Sequence, residues 1–126
     1  MEHTAELGLE LEGESDEEVF RAALDAFAEL VADEGGGEGI RRRIVLEGGE
    51  RGDLLVRWLE ELVFLADAER FVPERVVALE LGREGVRAEV AGRLGSPRPL
   101  VKAVTYHDVE FARQGGRTRA HVVLDV

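Results

Sequence analysis

Three short stretches of this chain carry groups able to do chemistry. The segment LVKAVTYHDVEF, Leu100 to Phe111, sets Lys102, Tyr106 and His107 into an otherwise apolar run. The opening EHTAE offers Glu2, His3, Thr4 and Glu6, and the closing LDV offers Asp125 and the carboxylate of Val126. A lysine there is a cation for an anionic group. The carboxylates are hard oxygen donors. In an extended chain Glu2, Thr4 and Glu6 share a face opposite His3 and Ala5, so His3 and Glu6 form no local chelating pair. Pairing of the two terminal strands would instead bring Glu6 toward Asp125 and Val126. Three carboxylate-type ligands without cysteine select calcium, magnesium or manganese over zinc.

Each polar residue of the Leu100–Phe111 run also has an ordinary structural explanation. Strand alternation places Leu100, Lys102, Val104 and Tyr106 on one face and Val101, Ala103, Thr105, His107, Val109 and Phe111 on the other. Taken singly, Lys102 covers the sheet with its stem, Tyr106 is a core-edge aromatic with a wet hydroxyl, and His107 is a hydrogen-bonded strand histidine. Other motifs give little. GGGEG lacks the lysine and hydroxyl residue of a phosphate loop and precedes a strand-like segment, so it reads as a flexible linker. No G-x-S-x-G elbow occurs, and the three histidines stand too far apart for a zinc triad. The arginines of GIRRRI are expected in salt bridges. A stand-alone hydrolase built on Glu6, Asp125 and His107 has no nucleophile and base set out by the sequence.

Composition narrows the partners. With 27 acidic against 16 basic residues the formal charge is -11, a field that repels nucleic acid and suits a cationic surface or a divalent cation. Strong direct RNA or DNA binding is therefore not expected. Absence of cysteine removes disulfides, thiolate ligands and a cysteine nucleophile. A length of 126 residues predicts one domain, 1–126. The N-terminus lacks a basic start followed by an apolar core, and no segment approaches the roughly 18 to 20 apolar residues of a membrane span, which predicts a soluble cytoplasmic protein without a membrane partner.

The elements that must position these groups follow from periodicity. Ala5, Leu7, Leu9 and Leu11 alternate as a strand. Ser15 with Glu18 forms a capping box that opens a helix whose apolar face is Phe20, Ala23, Leu24, Phe27, Leu30 and Val31. Ile40, Ile44, Val45 and Leu46 mark a second strand. Asp53 is placed as the cap of a second helix with the stripe Leu54, Leu55, Trp58, Leu59, Leu62 and Leu65, ending before Pro73. A hairpin follows, turning at GREG, and then strands over Leu100–Arg113 and Thr118–Val126 joined at QGG. The order predicts an α+β fold, a mainly antiparallel sheet with two helices packed on one face.

EHTAELGLELEG, SDEEVFRAALDAFAELV, DLLVRWLEELVFLAD, LVKAVTYHDVEF and the closing VVLDV, in this order and spacing, resemble the archease family over nearly the whole chain. KAVTYHD and HTAE are the most specific parts. Archeases are small accessory proteins of the GTP-dependent RNA-splicing ligase, which joins a cyclic-phosphate or phosphate end to a 5′-hydroxyl end. The resemblance implies a non-catalytic partner that promotes guanylylation and multiple turnover of a tRNA or RNA ligase. Its alternative is a chaperone or specificity modulator of another tRNA-processing enzyme such as an RNA methyltransferase. It further implies an α+β fold, a divalent ion, usually calcium, held by Glu6, Asp125 and Val126, and a ligase-activating role for Lys102. Glu2, His3, Thr4, Tyr106 and His107 are implied as supports. The family usually reads DHTAD, whereas this chain carries Glu2 and Glu6. The longer Glu6 side chain displaces the ligand oxygen by about one methylene and retunes the site.

Overall fold

A computed structural model describes residues 5–126. Glu2, His3 and Thr4 lie outside the described residues, and the expectations placed on them go with them. The element order is β1 (Glu6–Gly13), α1 (Asp16–Val31), β2 (Gly39–Glu47), α2 (Arg51–Glu69), β3 (Phe71–Gly82), β4 (Gly85–Leu94), β5 (Ala103–Gln114) and β6 (Arg117–Asp125). The fold is α+β, as the element order predicts, with every strand pairing antiparallel. The strands divide between two three-stranded sheets, ordered β1-β6-β5 and β2-β4-β3. Both helices touch strands of both sheets, so their apolar faces form the shared core.

The helices start and stop for local reasons. Ser15 caps α1, its Oγ accepting the Glu18 N–H at 3.2 Å, while the Glu18 carboxylate reaches back to the amide of Glu14. The capping box is thus reciprocal but one residue wider than usual. Helix α2 begins two residues before the predicted cap, with Glu50 at the N-cap making no side-chain cap bond. Asp53 therefore lies inside the first turn, and its carboxylate is free for another task. Arg70, left-handed at φ 58°, closes the far end by donating its N–H to the Leu65 carbonyl.

Trp58 and Phe20 join the helices. Their ring centroids are 5.9 Å apart, the Trp58 Nε1–H donates to the Phe20 carbonyl at 3.0 Å, and Phe111 of β5 meets Phe20 at 6.2 Å. Beside this apolar contact runs a polar one. Thr118 of β6 is fully buried, donates from Oγ1 to Asp16 at 3.1 Å and accepts from Arg113 at 3.0 Å. Asp16 in turn receives Arg51 at 3.0 Å, and Arg51 also donates to the Gly82 carbonyl. This network ties the first turns of both helices to both sheets, and among the described residues no buried side-chain donor or acceptor is left without a partner.

The glycine run after α1 is not the free linker expected. Asp33 accepts the amides of Gly35 and Ser96 at 3.1 and 2.8 Å and pairs with the Arg93 guanidinium, while Arg93 also donates to the Gly36 carbonyl. Both side chains of the pair are largely covered. The Arg93 bond, followed by the Ser96 amide, holds the Asp33 carboxyl well below the usual carboxylate range. A depressed folded-state pKa contributes stability that is complete above the unfolded value of about 3.9 and is lost as pH falls toward the folded one. Asp33→Asn should therefore lower the thermal midpoint at pH 7, with the deficit relative to wild type narrowing below about pH 4. Thermal melts across pH 2–8 check this. A deficit that widens on acidification would contradict it.

Candidate functional site

Strand β6 is the middle strand of its sheet, so whatever it carries at its end is flanked on both sides. Ala120, Val122 and Leu124 face the core, which turns Asp125 outward with the alternate row. Asp125 lies opposite Glu6 of β1 and opposite Ala103 of β5. Ala5 and Val126 exchange both main-chain bonds, at 3.3 and 2.9 Å. The next pair, Glu6 and Asp125, is therefore of the non-hydrogen-bonded kind, in which opposite Cα atoms come within about 4.5 Å. Both carboxylates leave the sheet on the same face. Lys102 enters the same corner from the β5 side, its amide donating to the Asp125 carbonyl at 2.8 Å. Its side chain is exposed.

The structure thus brings together Glu6, Lys102, Asp125 and Val126, which lie up to 120 positions apart in the chain. Like charges directly opposite one another across a strand pair are destabilising. Among the described residues, no salt bridge involves Glu6, Asp125 or Lys102. No group of three or more His, Asp or Glu side chains is gathered for a metal among the described residues. The donors available at the corner are two facing carboxylates and main-chain oxygen at Val126. An all-oxygen set of this kind fits a hard cation such as calcium, magnesium or manganese and does not fit zinc.

Beyond Thr105 the β5 strand departs from the regular alternation expected over Leu100–Phe111. Thr105 pairs with Val123, but the next pair is Glu110 with His121, so four residues of β5 stand against Val122 alone. Thr105 Oγ1 accepts the His107 amide at 2.7 Å at the entry to this bulge, and Asp108 within it is left-handed at φ 58°. His107 is exposed and reaches the carboxylate of its neighbour Asp108 at 3.2 Å. Tyr106 reverses its expected posture. The residue is 55% exposed, while its hydroxyl is tied down, donating to Asp53 Oδ1 at 2.8 Å. That bond, followed by partial burial and the charges of Asp53 and Glu60, holds the hydroxyl above the usual phenol range and keeps it a donor.

Asp53 and Arg57 belong to the site region without having been singled out for it. Asp53 Oδ2 accepts from Arg57 Nε at 3.0 Å, and Arg57 continues to the Glu47 carbonyl at 2.8 Å. The four-residue spacing of an acid and an arginine in a helix was the available signal. What sequence could not supply was Tyr106 as the third member. Gly52 next door lets Val109 close in, since a Cβ at Gly52 would meet Val109 Cγ1 at 3.1 Å.

Comparison with known proteins decides the family. A model described as the Archease protein family (MTH1598/TM1083) matches residues 1–126. The chain belongs to the archease family. It is 32% identical to the archease of Methanosarcina mazei over 136 residues, covering 100% of this chain and 93% of that one. It is likewise 32% identical to the Pyrococcus abyssi archease over 135 residues, covering 99% and 95%. The solution structure of Methanobacterium thermoautotrophicum protein 1598 matches with a TM-score of 0.72 and 30% identity over 100% of this chain and 96% of that one. The Thermotoga maritima crystal structure of an archease, described as a possible chaperone, matches with a TM-score of 0.73 over 100% and 94%, and at 23% identity that likeness speaks for the archease fold alone.

The facing carboxylates make a prediction independent of any partner. In metal-free buffer Asp125→Asn should stabilise the fold by about 0.2–1 kcal/mol, because it removes the cross-strand repulsion, and the gain should shrink as salt is raised. Chemical denaturation at low and high ionic strength measures both. A variant less stable than wild type at low salt would contradict the arrangement.

Proposed function

We propose that the chain is an accessory factor of a GTP-dependent RNA-splicing ligase, acting in the cytoplasm, without catalysis of its own, to promote guanylylation and multiple turnover of that enzyme. Family membership supports an association with RNA processing. The observation that carries the finer reading is the corner itself. Glu6 and Asp125 stand opposite each other, the Lys102 amide is bonded to the Asp125 main chain, and no salt bridge neutralises any of the three among the described residues.

On this reading the corner is a tip presented to another protein. Glu6 and Asp125 hold a divalent ion, calcium with magnesium or manganese as alternatives, with Val126 adding oxygen donors. Bound there, such an ion supplies positive charge to phosphate oxygens of a guanylylation site. Lys102 adds a mobile cation to the same phosphate, and its exposed side chain is free to reach beyond the protein surface. Glu6 in place of the family's usual aspartate sets the oxygen about one methylene further out, which retunes affinity without changing donor type.

A second reading, that of a chaperone, is favoured by the acid excess of the chain, 27 acidic against 16 basic residues. There the acidic surface would act on an RNA methyltransferase or another tRNA-processing enzyme. Co-purification from the source cell separates the two, since ligase in the pull-down favours the first and methyltransferase alone the second.

GMP loading of the ligase from the same organism is the direct assay. Wild type should stimulate it, and Asp125→Ala and Lys102→Ala should each lose about ten-fold or more of the stimulation, the scale on which single preorganised charges act at phosphate and oxyanion sites. Circular dichroism must show both variants folded. Unchanged stimulation by both would remove the tip from the mechanism.

A further inference from the structure

We infer that Tyr106, held upright on the bulge of β5, is the anchor by which this protein docks onto its partner enzyme, seating the Glu6–Asp125–Lys102 corner. The inference rests on the ligase reading above and adds to it a docking surface separate from the tip. Exposed aromatic residues are common, so exposure alone would decide nothing. Three features set this one apart. The first is the bulge, which interrupts an otherwise regular strand with four residues against one and holds the non-glycine Asp108 left-handed. Bulges re-aim side chains, and non-glycine positive φ persists where the surroundings enforce it.

The second is the tether. Asp53, in the first turn of a helix whose N-cap makes no side-chain bond, gives one oxygen to the Tyr106 hydroxyl and the other to Arg57. With its hydroxyl fixed and the residue 55% exposed, Tyr106 presents a rigid aromatic surface whose ordering cost is already met within the free protein. Val109 against Gly52 fixes the other end of the bulge on the same helix.

The third is the neighbourhood. Asp53, Arg57, Glu60 and Phe64 follow one another at helical spacing along the outer stripe of α2, and Phe64 is, like Tyr106, 55% exposed. The rise from Asp53 to Phe64 is about 16 Å, within the span of an ordinary interface patch. Asp53 and Glu60 act on the Tyr106 hydroxyl, with Arg57 as the opposing charge, and Asp108 and Glu110 follow Tyr106 along β5, so the balance around it is acidic. The occupant is accordingly a protein surface with an apolar recess for the tyrosine ring, rimmed by arginine or lysine. Tyr106 lies one residue past Thr105, whose partner Val123 is two residues from Asp125, which puts anchor and tip at one end of the β5–β6 pair, within the span of one interface.

The test measures the dissociation constant of the ligase complex and the concentration giving half-maximal GMP loading, for wild type, Tyr106→Ala and Phe64→Ala. Tyr106→Ala should raise both quantities about ten-fold or more, with the loading plateau retained at saturation, whereas a tip variant loses the plateau. A Tyr106→Ala protein that is folded by circular dichroism and changes both quantities less than two-fold overturns the anchor while leaving the ligase reading intact. If that variant fails to fold, Phe64→Ala, which breaks no hydrogen bond of the bulge, is judged by the same two-fold criterion. A wild-type protein that neither binds nor stimulates the ligase overturns the anchor and the ligase reading together.

Discussion

The site depends on β6 lying between β1 and β5. These are strands from opposite ends of the sequence, and their order in the sheet makes Glu6, Lys102 and Asp125 neighbours. Nothing local to any one of the three residues would gather them. What holds β6 there is the inward row Ala120, Val122 and Leu124, together with Thr118, whose hydroxyl is bonded to Asp16 at the start of α1 and to Arg113 on β5. Apolar burial supplies the driving force. The buried hydroxyl supplies register, since a slip of one residue would leave Thr118 unpartnered and turn Asp125 inward.

Two local features go against the simplest way of folding this sequence, and both border the candidate site. Glu6 and Asp125 place like charges across a narrow strand pair. Strand β5 breaks its ladder at Tyr106–Val109 when a straight continuation was open to it. Conflicts of this kind between local preference and final structure concentrate where a surface has a task beyond stability. The rest of the molecule shows the opposite tendency. Even the glycine run after α1 is pinned by Asp33 and Arg93 to the end of β4.

Much of the fold was legible because it rests on periodicity. The stripes of α1 and α2, the alternation of β1 and β6, the Ser15 cap and the turn between β3 and β4 all follow from residue spacing within a dozen positions. The division into two sheets was not, because strand order is set by which apolar faces meet across the core. Asp53 sits inside the helix and not at its cap because aspartate is equally at home three positions past the N-cap, and only the partner of its carboxylate decides. The posture of Tyr106 escapes the sequence for a related reason. Alternation assumes an unbroken strand, and the bulge that exposes the ring is fixed by contacts with Gly52 and Asp53, some fifty residues away. The members of the acidic corner could be named from the chain ends and the family resemblance, while the facing of Glu6 on Asp125 required the register.

The central claim is that this protein contributes charged groups of its own to a reaction on another enzyme. Its most direct test is a titration of ligase guanylylation against the protein in chelator-treated buffer, with calcium, magnesium or manganese then restored. The account predicts stimulation that saturates with the protein and rises when the ion is returned. Stimulation of equal size with and without the divalent ion would contradict it.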